Sequence, residues 1–160
     1  MSHLYQARDP NFENRVRSSF SRQTLMQTLG VTLSRVAPGA VDLVLQFRAD
    51  LAQQHGFLHA GIVTAVLDTA GGYAALSLME PGTAVLSVEF KVQLLAPARG
   101  EWFLGSGRVV RSGRTLTVVN AELQVHNTEL AADEVSPGGE VVALLTGTMM
   151  TIRDRQGLSD

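Results

Sequence analysis

One carboxylate interrupts the most apolar stretch of the chain. Between Ala60 and Met79 every residue is apolar, small or a neutral hydroxyl carrier except Asp68. Burying a lone carboxylate as a charge is costly unless a partner or a function compensates. Two readings follow. In the structural one, Asp68 caps a neighbouring strand or pairs with an arginine such as Arg99. In the chemical one it is a general base or nucleophile. The residues alone leave both open.

Just before it, Leu58-His59-Ala60-Gly61 brings a turn, a small residue and a glycine to a helix start, where free N–H groups project. Such an N-terminus can hold a developing oxyanion. Asp68 lies roughly 10 to 13 Å further along the same helix, too far to meet a carbonyl bound at that terminus. A symmetry mate would close the gap, so a site between subunits is expected.

His55 and His59 stand four apart, a spacing that on a helix puts two ligands on one face. His55 falls in a loop, however, and no third ligand stands nearby, so no metal is expected. His59 reads as an anchor for its loop. Ser87 is either an ordinary strand residue or a polar partner for Asp68. Gly71-Gly72 lacks the strand and spacing of a phosphate loop, and close helix-to-sheet packing accounts for it better.

The elements that must position these residues come next. Asn11 to Leu29 suits an amphipathic helix ended by Gly30. Val31 to Ala37 and Ala40 to Phe47 alternate around Pro38-Gly39 as a hairpin. Arg48 to Leu58 has no stripe and reads as a loop. Ala60 to Met79 is apolar nearly all round, the pattern of a helix enclosed by protein. Strand patterns follow at Ala84 to Leu95, Glu101 to Arg111, Thr115 to His126 and Val141 to Ile152, with Arg111-Ser112-Gly113-Arg114 as a tight turn. The order implies an α+β architecture, an antiparallel sheet of about six strands around one long central helix, with an extra N-terminal helix. One helix leaves much of such a sheet and an edge wanting a partner, so a homo-oligomer is expected.

Composition excludes several classes. The chain of 160 residues supports a single domain, with a core over about 30–152 and 153–160 as a tail. No cysteine means no disulfide, thiolate metal site or cysteine nucleophile. A net charge of −2 offers no general footprint for nucleic acid or an anionic membrane. Met1 to Pro10 has no apolar core of the signal-peptide kind, and Ala60 to Met79 carries Asp68 and three glycines, so a cytoplasmic protein without a membrane span is expected.

The block His55-Gly56-Phe57-Leu58-His59-Ala60-Gly61, followed by Ile62 to Ala70 with Asp68, resembles the G-x-x-H-G-G … D-x-A signature of hotdog-fold acyl-CoA thioesterases of the PaaI-like, phenylacetate-pathway type. The likeness runs on through Ser87-Val88-Glu89-Phe90, Leu94 to Gly100 and Gly107 to Arg114, and spans roughly Gly30 to Ile152. The resemblance implies that Asp68 is the catalytic acid. It implies that the Ala60 N–H, with Gly61 beside it, polarises the thioester carbonyl, that Gln53 helps hold the carbonyl or the water, and that Ser87 assists the carboxylate from the facing strand. It also implies a site at a dimer interface, in an assembly that is a dimer of the fold or a tetramer. Ala60 departs from the family glycine and Gln53 from a shorter amide.

The expected reaction is hydrolysis of an acyl-CoA or aryl-acyl-CoA, with no metal or redox cofactor and coenzyme A entering only as part of the substrate. His59 lies at the mouth of the site, Phe57, Val63 and Tyr73 shape the acyl pocket, and Arg108, Arg111 and Arg114 face either solvent or the CoA phosphates. The competing readings are a hotdog dehydratase or hydratase using His59, and a non-catalytic acyl-CoA binding module.

Overall fold

A computed structural model of the protein describes residues 5–130, 138–153 and 155–158. Two short helices, α1 (Phe12–Ser21) and α2 (Thr24–Leu29), precede strands β1 (Thr32–Ala37) and β2 (Ala40–Gln46). Helix α3 (Ala60–Leu76) follows, and then strands β3 (Ala84–Leu94), β4 (Trp102–Ser112), β5 (Leu116–His126) and β6 (Glu140–Ile152). The six strands form one antiparallel sheet in the order β1-β2-β4-β5-β6-β3, and α3 packs on β2 through β6. This is the hotdog architecture that the resemblance implies.

The N-terminal helix is two helices. Phe20 and Leu25 are five residues apart, which breaks the 3.6-residue stripe, and the chain resets there with Gln23 extended at φ −81°, ψ 94°. Gly30 then takes φ +75°, and the Val31 N–H closes the end of α2 on the Met26 carbonyl at 2.9 Å. Helix α3 stops at Leu76 instead of Met79. The Ser77 hydroxyl donates to the Ala74 carbonyl at 2.7 Å and accepts from the Gly39 N–H at 2.8 Å, which ties the helix end to the β1–β2 turn.

The centre of the sheet is shaped to receive the helix. Val66, Ala70 and Ala74 of α3 are fully buried against it. A Cβ at Gly107 would lie 2.2 Å from the Ala70 carbonyl oxygen, and one at Gly105 would lie 2.5 Å from Val66 Cγ1. Only glycine lets the α3 backbone approach β4 so closely. Leu43, Phe103, Leu123 and Leu145 fill the layer around this contact.

Strand β3 ends the sheet with one side unpaired. Along it Leu86, Val88, Phe90 and Leu94 are all exposed, a long apolar edge that a lone chain would ordinarily blunt.

Candidate functional site

Asp68 sits in the middle of α3 and is half-buried, not enclosed, because its face of the helix opens on a cleft. The Ser87 hydroxyl on β3 donates to Asp68 Oδ1 at 2.6 Å. Arg99 is elsewhere, with its guanidinium 5.9 Å from the Phe57 ring, so the ion pair weighed from the sequence does not form. Of the two structural readings, a hydroxyl on the facing strand is what the carboxylate meets.

The start of α3 is built by the loop before it. Gly56 takes φ +82°, a conformation that favours glycine, and its N–H donates to the Gln53 carbonyl at 3.0 Å while the Gln53 N–H donates to the Phe57 carbonyl at 2.8 Å. The Leu58 N–H is tied to the Ala98 carbonyl and the His59 N–H to the Leu51 carbonyl, each at 3.0 Å. The Gln53 side-chain oxygen accepts from the His55 N–H, so this amide braces its own loop.

His59 caps the helix. Its Nδ1 accepts from the Gly61 N–H at 2.9 Å, which assigns the ring proton to Nε2. The Ile62 and Val63 N–H groups both reach the His59 carbonyl, at 2.9 and 3.1 Å. Among the described residues the Ala60 N–H alone of this first turn has no acceptor. The arrangement leaves one strong donor at a positive helix terminus, with Gly61 committed to the cap.

These two groups of residues do not meet within the chain. Asp68 and Ser87 line one cleft of about 230 Å³, whereas Gln53, Phe57, Ala60 and Val63 line another of about 380 Å³, and the two share no lining residue. Eight residues of helix separate Ala60 from Asp68, about 12 Å of rise. A carboxylate with an anchored oxygen can take a proton, and an unpaired N–H can hold a negative oxygen. Each chain presents the two functions separately.

Arg111 and Arg114 are exposed around the β4–β5 turn. Arg108 is not available as they are. Its Nη1 lies 2.6 Å from Oδ1 of Asp42, a fully buried carboxylate on β2, with Arg35 Nη1 at 3.6 Å from the other oxygen. No group of three or more His, Asp or Glu among the described residues could hold a metal ion, and no helix among them is long and apolar enough to cross a membrane.

Sequence reasoning missed part of the Asp68 cleft. Tyr73 was expected near a pocket and lines this one, but Ser19, Gln23, Thr69 and Gly72 line it too. The break between Phe20 and Leu25 was the only signal for Gln23. Packing explains Gly71, whose Cβ would lie 3.0 Å from Val119 Cγ2, but not Gly72, whose Cβ would meet nothing within 4 Å.

A single α3 laid on a six-stranded antiparallel sheet, with an acid in mid-helix and a donor at its start, defines a hotdog-fold protein. The thioesterase superfamily model matches residues 55–132, the segment holding His59, Ala60, Asp68 and Ser87. A thioesterase family protein of known structure from Silicibacter pomeroyi is 46% identical, covering 88% of this chain and 98% of that one, with a TM-score of 0.81. The chain is 31% identical to a Halobacterium salinarum protein whose name provisionally assigns it to the esterases, over 81% of this chain and 85% of the relative. The E. coli PaaI protein of the phenylacetic acid degradation operon shares the fold, with a TM-score of 0.75 at 19% identity over 93% of this chain and 96% of that one. The chain belongs to the thioesterase superfamily and has its hotdog fold.

Proposed function

We propose that the protein hydrolyses acyl-CoA or aryl-acyl-CoA thioesters at a site shared between two copies of the chain. The observation that carries this reading is the separation just described. A base with an anchored oxygen lies in one cleft, and the free Ala60 N–H lies in another, about 12 Å along one rigid helix. A two-fold copy docked on the exposed edge of β3 brings the Ala60 end of one α3 toward the Asp68 of the other.

In the reaction, Asp68 takes a proton from water as the water oxygen bonds to the thioester carbonyl carbon. The carbonyl electron pair moves to its oxygen, which the Ala60 N–H and the α3 terminus stabilise. Collapse of that intermediate breaks the C–S bond, and the proton on Asp68 returns to the departing CoA sulfur. Ser87 fixes Oδ1 so that Oδ2 faces the water. The balance needs no metal or redox group, and Arg111 and Arg114 meet the CoA phosphates.

The test is hydrolysis of a panel of aliphatic and single-ring acyl-CoAs, followed by released thiol, in the wild type and in Asp68→Asn. Turnover that falls by at least about a hundredfold in the variant supports the reading. Binding without turnover across the panel, or full activity in Asp68→Asn, overturns it.

A further inference from the structure

The junction between α1 and α2 belongs to the Asp68 cleft. Ser19 near the end of α1 and Gln23 at the break between the helices line it together with Thr69, Gly72 and Tyr73 of α3. Their polar atoms form two contacts across the helices, Ser19 Oγ to Tyr73 OH at 3.2 Å and Thr69 Oγ1 to Gln23 Oε1 at 3.5 Å. The second is long and weak, and the Gln23 Nε2 has no acceptor among the described residues. The wall that faces Asp68 is therefore rich in hydrogen-bonding groups.

Gly72 supplies the room. It stands one turn beyond Asp68 in a buried helix, where glycine costs about 0.5–1 kcal/mol relative to alanine. No packing contact requires it, since an added Cβ would meet nothing within 4 Å, and it opens on this cleft. The cleft holds about 230 Å³. An apolar cavity of about 150 Å³ accommodates benzene, so this volume has room for one ring or a short chain.

We infer that the α1–α2 junction is a specificity wall, in which Gln23 recognises a hydroxyl or carbonyl at the far end of a short or single-ring acyl group. The inference rests on the thioesterase reading above and deepens it. An acyl group whose carbonyl is beside Asp68 extends over Gly72 toward Gln23 and the Ser19–Tyr73 pair. A polar end group exchanges its water for the Gln23 amide, whereas a plain hydrocarbon end leaves the Gln23 Nε2 unpaired.

The test uses matched pairs, 3-phenylpropanoyl-CoA with its 4-hydroxyphenyl counterpart and hexanoyl-CoA with 6-hydroxyhexanoyl-CoA. In the wild type kcat/KM favours the hydroxylated member of at least one pair by about tenfold or more, and Gln23→Leu brings that ratio to about one. Gly72→Val, which fills the cleft, lowers kcat/KM for the ring pair more than for the chain pair. A wild-type preference for the plain members overturns the inference, as does a ratio that Gln23→Leu leaves unchanged, while Asp68-dependent hydrolysis keeps the thioesterase reading intact. Absence of hydrolysis with every member overturns both.

Discussion

The Ser87 hydroxyl reaches from the edge strand to Oδ1 of Asp68 at 2.6 Å, so α3 and β3 are joined at the carboxylate itself. Ser87 Oγ also lies 3.4 Å from the Met149 sulfur on β6, in van der Waals contact. A contact that orients one carboxylate oxygen acts on the chemical step more than on substrate affinity. Ser87→Ala is expected to lower kcat by about tenfold with KM nearly unchanged, and Ser87→Thr to restore most of it. Steady-state kinetics on the best acyl-CoA of the panel checks the split. A loss that appears in KM alone would assign Ser87 to binding.

The Ala60 N–H can be deleted without losing the helix. Ala60 is the first helical residue, where proline is tolerated, and His59 already has the extended φ −62°, ψ 136° that a following proline demands. Ala60→Pro is expected to fold and to lower kcat/KM by about 10²-fold or more, as loss of an oxyanion donor does. If the site is shared, subunits of Ala60→Pro and Asp68→Asn, unfolded and refolded as an equal mixture, form heterodimers with one intact site. Random pairing then returns about a quarter of wild-type activity. No recovery, with heterodimers demonstrated by mass, places both groups in one chain.

How far the sequence revealed this follows from which signals are local. Hydrophobic period and turn residues located the four long strands, the β1–β2 hairpin and α3 to within a few residues, because apolar patterning and the glycines and prolines that bound each element are local in the chain. The motif residues from His55 to Asp68 were legible for the same reason, being fixed by a loop and a helix contiguous in the chain. What escaped was relational. That Arg108 faces Asp42 depends on β2–β4 register, with Ala40 opposite Arg108 and Asp42 opposite Ser106. That Gln23 joins the Asp68 cleft depends on how α1 and α2 dock. Neither leaves a periodic trace.

Asp42 is fully buried, and its nearest cations are Arg108 at 2.6 Å and Arg35 at 3.6 Å. Neither contact is aligned as a hydrogen bond, since Arg108 Nη1 donates to the Val41 and Gly107 carbonyls at 3.2 and 2.8 Å. Proximity of charge is therefore what offsets the burial of this carboxylate. Arg108→Met is expected to cost on the order of 1 to 3 kcal/mol in urea unfolding, because it leaves the buried charge with only the more distant Arg35, and adding Asp42→Asn should recover most of that loss. Turnover of acyl-CoA by the folded fraction should stay at the wild-type level. A raised KM with unchanged stability would return Arg108 to the CoA phosphates.

His126 ends β5 opposite Trp102, with its ring against the backbone at Gly139 and its buried Nε2 without a partner among the described residues. Burial pushes its pKa below the ordinary value of 6.5, so the folded protein resists protonating a ring that the unfolded chain protonates freely. As the pH falls through about 6.5 the unfolded chain binds more protons than the folded one, and stability present above that pH is lost below it. The urea midpoint should therefore fall between pH 7.5 and 5.5, and His126→Gln, which cannot take up the proton, should reduce that fall. The remaining histidines and the carboxylates contribute equally to both proteins, so the comparison isolates this ring. An identical fall in the variant would mean that protonated His126 is accommodated in the fold as well as in the unfolded chain.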